Sequence, residues 1–162
     1  MKKVFEELRY DGATLDEVHE MLATTAFREE VCESQGVLRH TVEINRDGIG
    51  MTVKIDQVQA AQGLPGFAQK IVGEEIHIVQ SEEWTAPAKG NMHISIPGKP
   101  GEMSGTAVLT EDPDGTTETV NLSVKVNVPL VGSKLEGLIA DLLSKALRAE
   151  HKVGVKWMQR RG

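Results

Sequence analysis

The feature that most constrains this chain is a series of six segments in which apolar and polar residues alternate, followed by one long amphipathic segment. Alternation with a period of two places the apolar side chains on one face of a β-strand. The six segments span residues 37–45, 49–59, 75–84, 91–96, 102–110 and 116–128. Because most connections are short and contain turn pairs such as Asp47-Gly48, consecutive strands are predicted to pair antiparallel, with one face buried.

The residues before these strands predict one more strand and two short helices. Residues 2–10 alternate and form the first predicted strand. Thr14 and Glu17 have the spacing of a capping box at a helix N-terminus, and a second helix is predicted over residues 26–34. The element order is therefore one strand, two short helices, six strands and a final helix.

The final helix is predicted over residues 134–158. Its apolar residues recur at the i, i+3, i+4, i+7 spacing of an amphipathic helix. At about 1.5 Å per residue the helix would be roughly 37 Å long, so it could cross a sheet whose ten-residue strands span roughly 33 Å. Gly154 is predicted to be a weak point where this helix kinks or ends.

The connection over residues 60–73 is long for a hairpin loop. It contains Gly63, Pro65 and Gly66, and then an apolar stretch that predicts a short helix over residues 67–72. Long loops in compact domains are often lids or binding loops. We therefore predict that residues 64–72 act as a lid.

This element order resembles the helix-grip fold of the START-like (SRPBCC) superfamily, which includes START lipid carriers, plant pathogenesis-related allergens and bacterial polyketide cyclases. Four sequence blocks, RYDGATLDEVHEMLATTAFREEVCESQG, LPGFAQKIVGEE, IPGKPG and VNVPLVGSKLEGLIADLL, further resemble the bacterial domain-of-unknown-function 2505 family within it. The resemblance covers nearly the whole chain. It implies an α+β fold, in which a seven-stranded curved antiparallel sheet wraps around a long C-terminal helix, and it implies a ligand cavity between them.

Strand parity and the resemblance together predict which residues bind a ligand in that cavity. Most are mid-sized apolar residues on the inward face, and three are methionines, whose flexible thioethers adapt to varied ligand shapes. The predicted ligand-binding set is Leu38, His40, Val42, Met51, Val53, Ile55, Phe67, Ile78, Met92, Ile94, Met103, Leu109, Val124, Leu138 and Leu142. His40 is either a polar contact for the ligand or a core or rim histidine bonded to a neighbour. Four more residues of inward parity either form a polar end of the pocket or mark where the strands leave the buried region: Tyr10, Gln57, Gln80 and Glu82.

Composition and motifs narrow the classes of function. The net charge of −6 argues against a general nucleic-acid binder, and no apolar run is long enough to span a membrane. Cys32 is the only cysteine, the five histidines have no metal-ligand spacing, and no phosphate-binding loop motif occurs. We therefore expect one cytoplasmic domain over residues 1–162, with no metal or cofactor, no nucleic-acid partner and no integral membrane association. A protein partner is left open.

Three functions are compatible with this sequence. The first is a module that binds or transports a small hydrophobic molecule: lipid-like, isoprenoid or aromatic. The second is an enzyme like a polyketide cyclase or aromatase, with His40, Tyr10 and Glu82 as candidates for proton transfer. The third is an interaction protein with a filled core. The volume left between the sheet and the final helix separates the third function from the other two.

Overall fold

The structure, a computed structural model, describes residues 1–161 and the side chains of residues 1–160. Its elements follow the predicted order. They are β1 (Lys2–Asp11), α1 (Leu15–Leu22), α2 (Thr25–Ser34), β2 (Arg39–Asp47), β3 (Gly50–Ala60), α3 (Gly66–Val72), β4 (Glu75–Ala86), β5 (Lys89–Ser95), β6 (Glu102–Asp112), β7 (Gly115–Lys125) and α4 (Gly132–Arg161). The predicted α+β fold is confirmed.

The seven strands form one curved antiparallel sheet in the order β1-β7-β6-β5-β4-β3-β2. Strands β2 to β6 each pair with the next strand in the chain, and β1 pairs with β7. The helices α1 and α2 are inserted between the two edge strands, β1 and β2. This connection carries the chain from one edge of the sheet to the other and places both helices on its concave side.

The predicted capping box starts α1. The hydroxyl of Thr14 accepts a hydrogen bond from the Glu17 amide at 3.1 Å, and the Glu17 carboxylate accepts one from the Thr14 amide at 2.8 Å. The two residues thus satisfy backbone donors that the first helical turn would otherwise leave unpaired.

The long helix α4 packs chiefly against β1 and α2, and its other main contact with the sheet is β7. The closest approach is at Gly154, where a β-carbon added to the glycine would lie 2.7 Å from the hydroxyl and from Cε1 of Tyr10. Gly154 does not end the helix as predicted, because α4 continues to Arg161. The glycine instead lets the helix backbone rest on the Tyr10 ring.

Leu38 does not lie on the buried face, contrary to its predicted position. Strand β2 begins one residue later, at Arg39, and Leu38 is 50% exposed. Inward residues of β2 such as Val42 are only half-buried. The physical reason is that β2 is an edge strand on the side of the sheet away from α4, where α2 provides the main cover.

Candidate ligand-binding cavity

A cavity of about 400 Å³ lies between the concave face of the sheet and α4. It forms because α4 packs against β1 and β7 at one side of the sheet and does not pack closely against β3, β4 and β5. The helices α2 and α3 close the remaining sides. This volume lies within the range of about 300–1,000 Å³ that is usual for small-molecule sites, and it does not fit the alternative of a filled core.

Seven of the predicted residues line the cavity. They come from four neighbouring strands and from α4, and all are apolar: Ile55, Ile78, Met92, Ile94, Met103, Leu138 and Leu142. Leu142 is 42% exposed on α4, which places it where the cavity meets the surface. The predicted lid also contributes to the wall, through Leu64, Ala68, Ile71 and Val72.

The other predicted residues lie elsewhere. Met51, Val53, Leu109 and Val124 are buried in the solid part of the core and do not line the cavity. Leu38, His40, Val42 and Phe67 lie at the periphery and do not line it either. The His40 ring reaches 4.0 Å from the Glu29 carboxylate, and the Phe67 ring lies under the Lys134 ammonium at 5.2 Å. Inward parity predicted burial for most of these residues, but burial alone does not distinguish the packed core from the cavity wall.

A buried ion pair stands at the deep end of the cavity. The terminal nitrogens of Arg28 donate to the two carboxylate oxygens of Glu82, both at 2.9 Å, and Arg28 Nε donates to the Leu22 carbonyl at 2.8 Å. Glu82 also accepts from Gln80 at 2.6 Å and from the indole of Trp84 at 2.9 Å. Burial favours the neutral acid, but Arg28 and these hydrogen bonds outweigh it and hold the pKa of Glu82 below its usual value.

Two more carboxyl groups lie near this ion pair. Glu150 of α4 lines the cavity, and Glu118 of β7 is only 5% exposed. Burial, with the nearby charges of Glu150 and Glu82, raises the pKa of Glu118 to about 8. Burial also raises the pKa of Glu150, to about 7, against the opposing effect of Arg28. One arginine therefore stands among three carboxyl groups, and two of these exchange protons near neutral pH.

The cyclase-like alternative named His40, Tyr10 and Glu82, and none of the three lines the cavity. Tyr10 is 2% exposed beneath α4, and the Glu82 carboxylate is occupied by Arg28, Gln80 and Trp84. The polar groups that do face the cavity include Arg28, Gln57, Gln80 and Glu150. Of these, only the two glutamines were identified from the sequence, as candidates for a polar end of the pocket.

The single thiol is also placed by the structure. Cys32 is buried on α2 and borders the cavity. Burial raises the pKa of its thiol to about 11. Because the thiolate is the reactive form of cysteine, this shift makes Cys32 a poor nucleophile.

Comparison with known proteins gives sequence relatives whose roles are not assigned. A family model described as "Protein of unknown function (DUF2505)" matches residues 6–158. An uncharacterised protein of Mycobacterium tuberculosis (strain ATCC 25618 / H37Rv) is 29% identical over 118 residues, which are 69% of this chain and 67% of that protein.

Solved structures share the fold at low sequence identity. A protein from Thermus thermophilus matches with a TM-score of 0.64 and 17% identity, over 94% of this chain and 96% of its own. The Zhui aromatase/cyclase from Streptomyces sp. R1128 matches with a TM-score of 0.61 and 15% identity, over 99% and 94%. A START superfamily protein from Mycobacterium smegmatis matches with a TM-score of 0.59 and 15% identity, over 96% and 98%.

Among the helices of residues 1–161, none combines the length and apolar character needed to cross a bilayer.

Proposed function

Because this chain belongs to the DUF2505 family and has the helix-grip fold of START-like proteins, we propose that it is a small-molecule binding module. The ligand is a hydrophobic molecule held between the sheet and α4. The observation that carries this proposal is the 400 Å³ cavity, whose walls are mostly apolar and richest in isoleucine and leucine. The START and aromatase/cyclase proteins with the same fold support it as structural relatives.

An estimate of affinity shows that apolar contact is sufficient for measurable binding. Burying about 350 Å² of ligand surface at roughly 25 cal/mol/Å² contributes about 9 kcal/mol. Association costs of about 4 kcal/mol leave about 5 kcal/mol, which corresponds to a Kd on the order of 0.1 mM. Each additional hydrogen bond to the ligand would tighten this value.

The proposal is tested with the neutral fluorescent probe N-phenyl-1-naphthylamine. We expect its fluorescence to rise on titration with the protein, because the probe leaves water for the apolar cavity. Ile94 is 4% exposed and lines the cavity, so Ile94→Trp should occupy part of this volume and weaken probe binding at least about fivefold, which is about 1 kcal/mol.

The matched control is Ile49→Trp, the same substitution at a residue that is 71% exposed in the turn between β2 and β3. This variant should bind the probe like the unsubstituted protein. Circular dichroism melts establish that both variants are folded. Absence of probe binding to the unsubstituted protein, or equal weakening by the two substitutions, would contradict the proposed function.

A further inference from the structure

The hydrogen-bonding groups at the deep end of the cavity are unevenly satisfied. Arg28 uses Nε and both terminal nitrogens in bonds to Leu22 and Glu82, and Glu82 accepts from three different side chains. The charges of this ion pair compensate each other, and most of its donors and acceptors are already bonded. The ion pair is therefore not the group that a polar ligand would complete.

Three polar side chains beside this ion pair lack hydrogen-bond partners in the described structure. Among the residues that the structure describes, neither Oε1 of Glu118 nor the hydroxyl of Tyr10 has a hydrogen-bond partner, although the two residues are only 5% and 2% exposed. Glu150 is half-buried and faces the cavity, and no donor within residues 1–160 bonds its carboxylate. Buried polar groups in folded proteins are nearly always bonded, so the unpaired Glu118 oxygen and Tyr10 hydroxyl indicate that a hydrogen-bonding partner is missing beside the cavity.

The geometry places these groups together. Glu118 lies on β7 on the same face as Leu122, which lines the cavity, and it is directly paired with Leu8 of β1. Tyr10 lies two residues further along β1 on that face and touches α4 at Gly154. Glu150 is one helical turn before Gly154, on the same side of α4. The carboxyl groups of Glu118 and Glu150 thus approach the cavity end from the sheet and from the helix.

The side chains at the deep end of the cavity favour a ligand that carries a hydrogen-bond donor. An anionic group of a ligand would be repelled by the ionised forms of Glu118 and Glu150, and the nearby guanidinium of Arg28 is already held by Glu82. No group of three or more His, Cys, Asp or Glu side chains in the described part of the chain is arranged to hold a metal ion. A hydroxyl or a protonated amine, in contrast, supplies the hydrogen-bond donor that Glu150 lacks.

We infer that the ligand ends in a hydrogen-bond-donating group, a hydroxyl or a protonated amine, which is bound by Glu150 at the deep end of the cavity with Glu118 behind it. The apolar remainder of the ligand extends along α4 toward Leu135 and Lys99, which border the other end. This inference rests on the proposed function and specifies the substrate class of the same cavity.

The test compares three ligands of equal chain length: 1-decanol, decylamine and decyl methyl ether. Each displaces N-phenyl-1-naphthylamine from the unsubstituted protein at pH 8. We expect decanol or decylamine, or both, to bind about tenfold more tightly than the ether, since a hydrogen bond to a charged group is worth about 1.5 kcal/mol or more. The alcohol and the amine arms distinguish the two kinds of donor.

Two variants locate the effect. Glu150→Met should reduce the tenfold preference to about twofold or less while leaving the affinity for the ether nearly unchanged. Glu7→Met, on the exposed face of β1, is the control and should retain the full preference. If Glu150→Met does not fold, Glu118→Gln serves instead, and the carbon-13 carboxyl resonance of Glu150 should shift with decanol but not with the ether.

The outcomes separate this inference from the proposed function. If the probe binds and all three ligands displace it equally, the cavity binds apolar molecules but the inference is overturned, and the orphaned acceptors are satisfied by buried water. A preference that survives both Glu150→Met and Glu118→Gln also overturns it. Failure of the probe to bind at all rejects the proposed function and the inference with it.

Discussion

At the scale of single residues, a buried ion pair and an exposed one of similar geometry differ in what they contribute to stability. Arg28 and Glu82 are both nearly inaccessible to solvent, and their bidentate contact with added hydrogen bonds keeps both ionised. Arg46 and Glu20 form a pair of similar geometry on the surface, at 2.8 and 3.0 Å. The surface pair contributes little to stability because water screens it, whereas separating the buried pair would leave an uncompensated charge.

Glu118 gives a prediction for the pH dependence of stability. Its pKa is raised from the ordinary value of 4.5 to about 8 in the folded protein. Burial and the facing charges of Glu150 and Glu82 raise this pKa, and Arg28 partly offsets them. Between these two values the folded protein binds the proton more tightly than the unfolded chain does. The free energy of unfolding therefore falls as the pH rises through this interval, by up to about 1.4 kcal/mol per pH unit.

The substitution Glu118→Gln should remove this contribution. We expect the variant to lose less stability than the unsubstituted protein between pH 5 and pH 8, as measured by urea unfolding at each pH. Tyr10, Glu82, Arg28 and Glu150 still face the site in the variant, so a smaller slope from Glu150 remains. The exposed Glu7→Gln should leave the slope unchanged, and parallel curves for Glu118→Gln and the unsubstituted protein would refute the prediction.

The sequence contained part of this residue-level information. Glu82 was identified because it shares parity with the inward residues of its strand, and Glu118 satisfies the same criterion beside Val120 and Leu122. Arg28 and Glu150 lie on helices, where a charged residue at helical spacing normally indicates the solvated face. Only the tertiary structure shows that α2 and α4 turn these two side chains toward the cavity.

At the scale of elements, the strands and helices were predictable because their periodicity is strong and their turns carry specific residues. The errors lie where an element's neighbours decide the outcome. Leu38 has the right parity but precedes the start of an edge strand, and Gly154 has low helix propensity but sits in a helix that tertiary packing stabilises. Local sequence describes the element, whereas its neighbours determine its exposure and its ends.

Gly154 supports a prediction about the contact between α4 and β1. Gly154→Ala should lower the free energy of unfolding by about 1–3 kcal/mol, because the new methyl group would overlap the Tyr10 ring. The matched control is Gly137→Ala on the same helix, where a β-carbon meets nothing within 4 Å. That variant should gain about 0.5–1 kcal/mol from the higher helix propensity of alanine. Thermal and urea unfolding measure both, and equal signs for the two changes would disprove the packing role of Gly154.

At the scale of the whole molecule, the cavity depends on the position of α4 relative to the sheet. Seven predicted residues line it, but Met51, Val53, Leu109 and Val124 have the same inward parity and are packed by the protein itself. A displacement of a helix by a few ångströms decides between a void and a filled core, and no residue pattern encodes that distance. The concave face was therefore predictable from the sequence, and the boundary of the cavity within it was not.

The connection between β3 and β4 supports a prediction about how a ligand leaves the cavity. Its helix α3 contributes Ala68 and Ile71 to the wall and ends at Gly73, whose φ of 85° and ψ of −159° are a conformation that alanine adopts only with strain. Gly73→Ala should disfavour the position that α3 takes against the cavity. We expect N-phenyl-1-naphthylamine to dissociate about tenfold faster from this variant in stopped-flow displacement by decanol, since such strain costs about 1–3 kcal/mol.

The control is Gly48→Ala, at φ 60° in the turn between β2 and β3, which should lower stability but leave the dissociation rate of the probe unchanged. Equal dissociation rates in the two variants would show that α3 is not a lid.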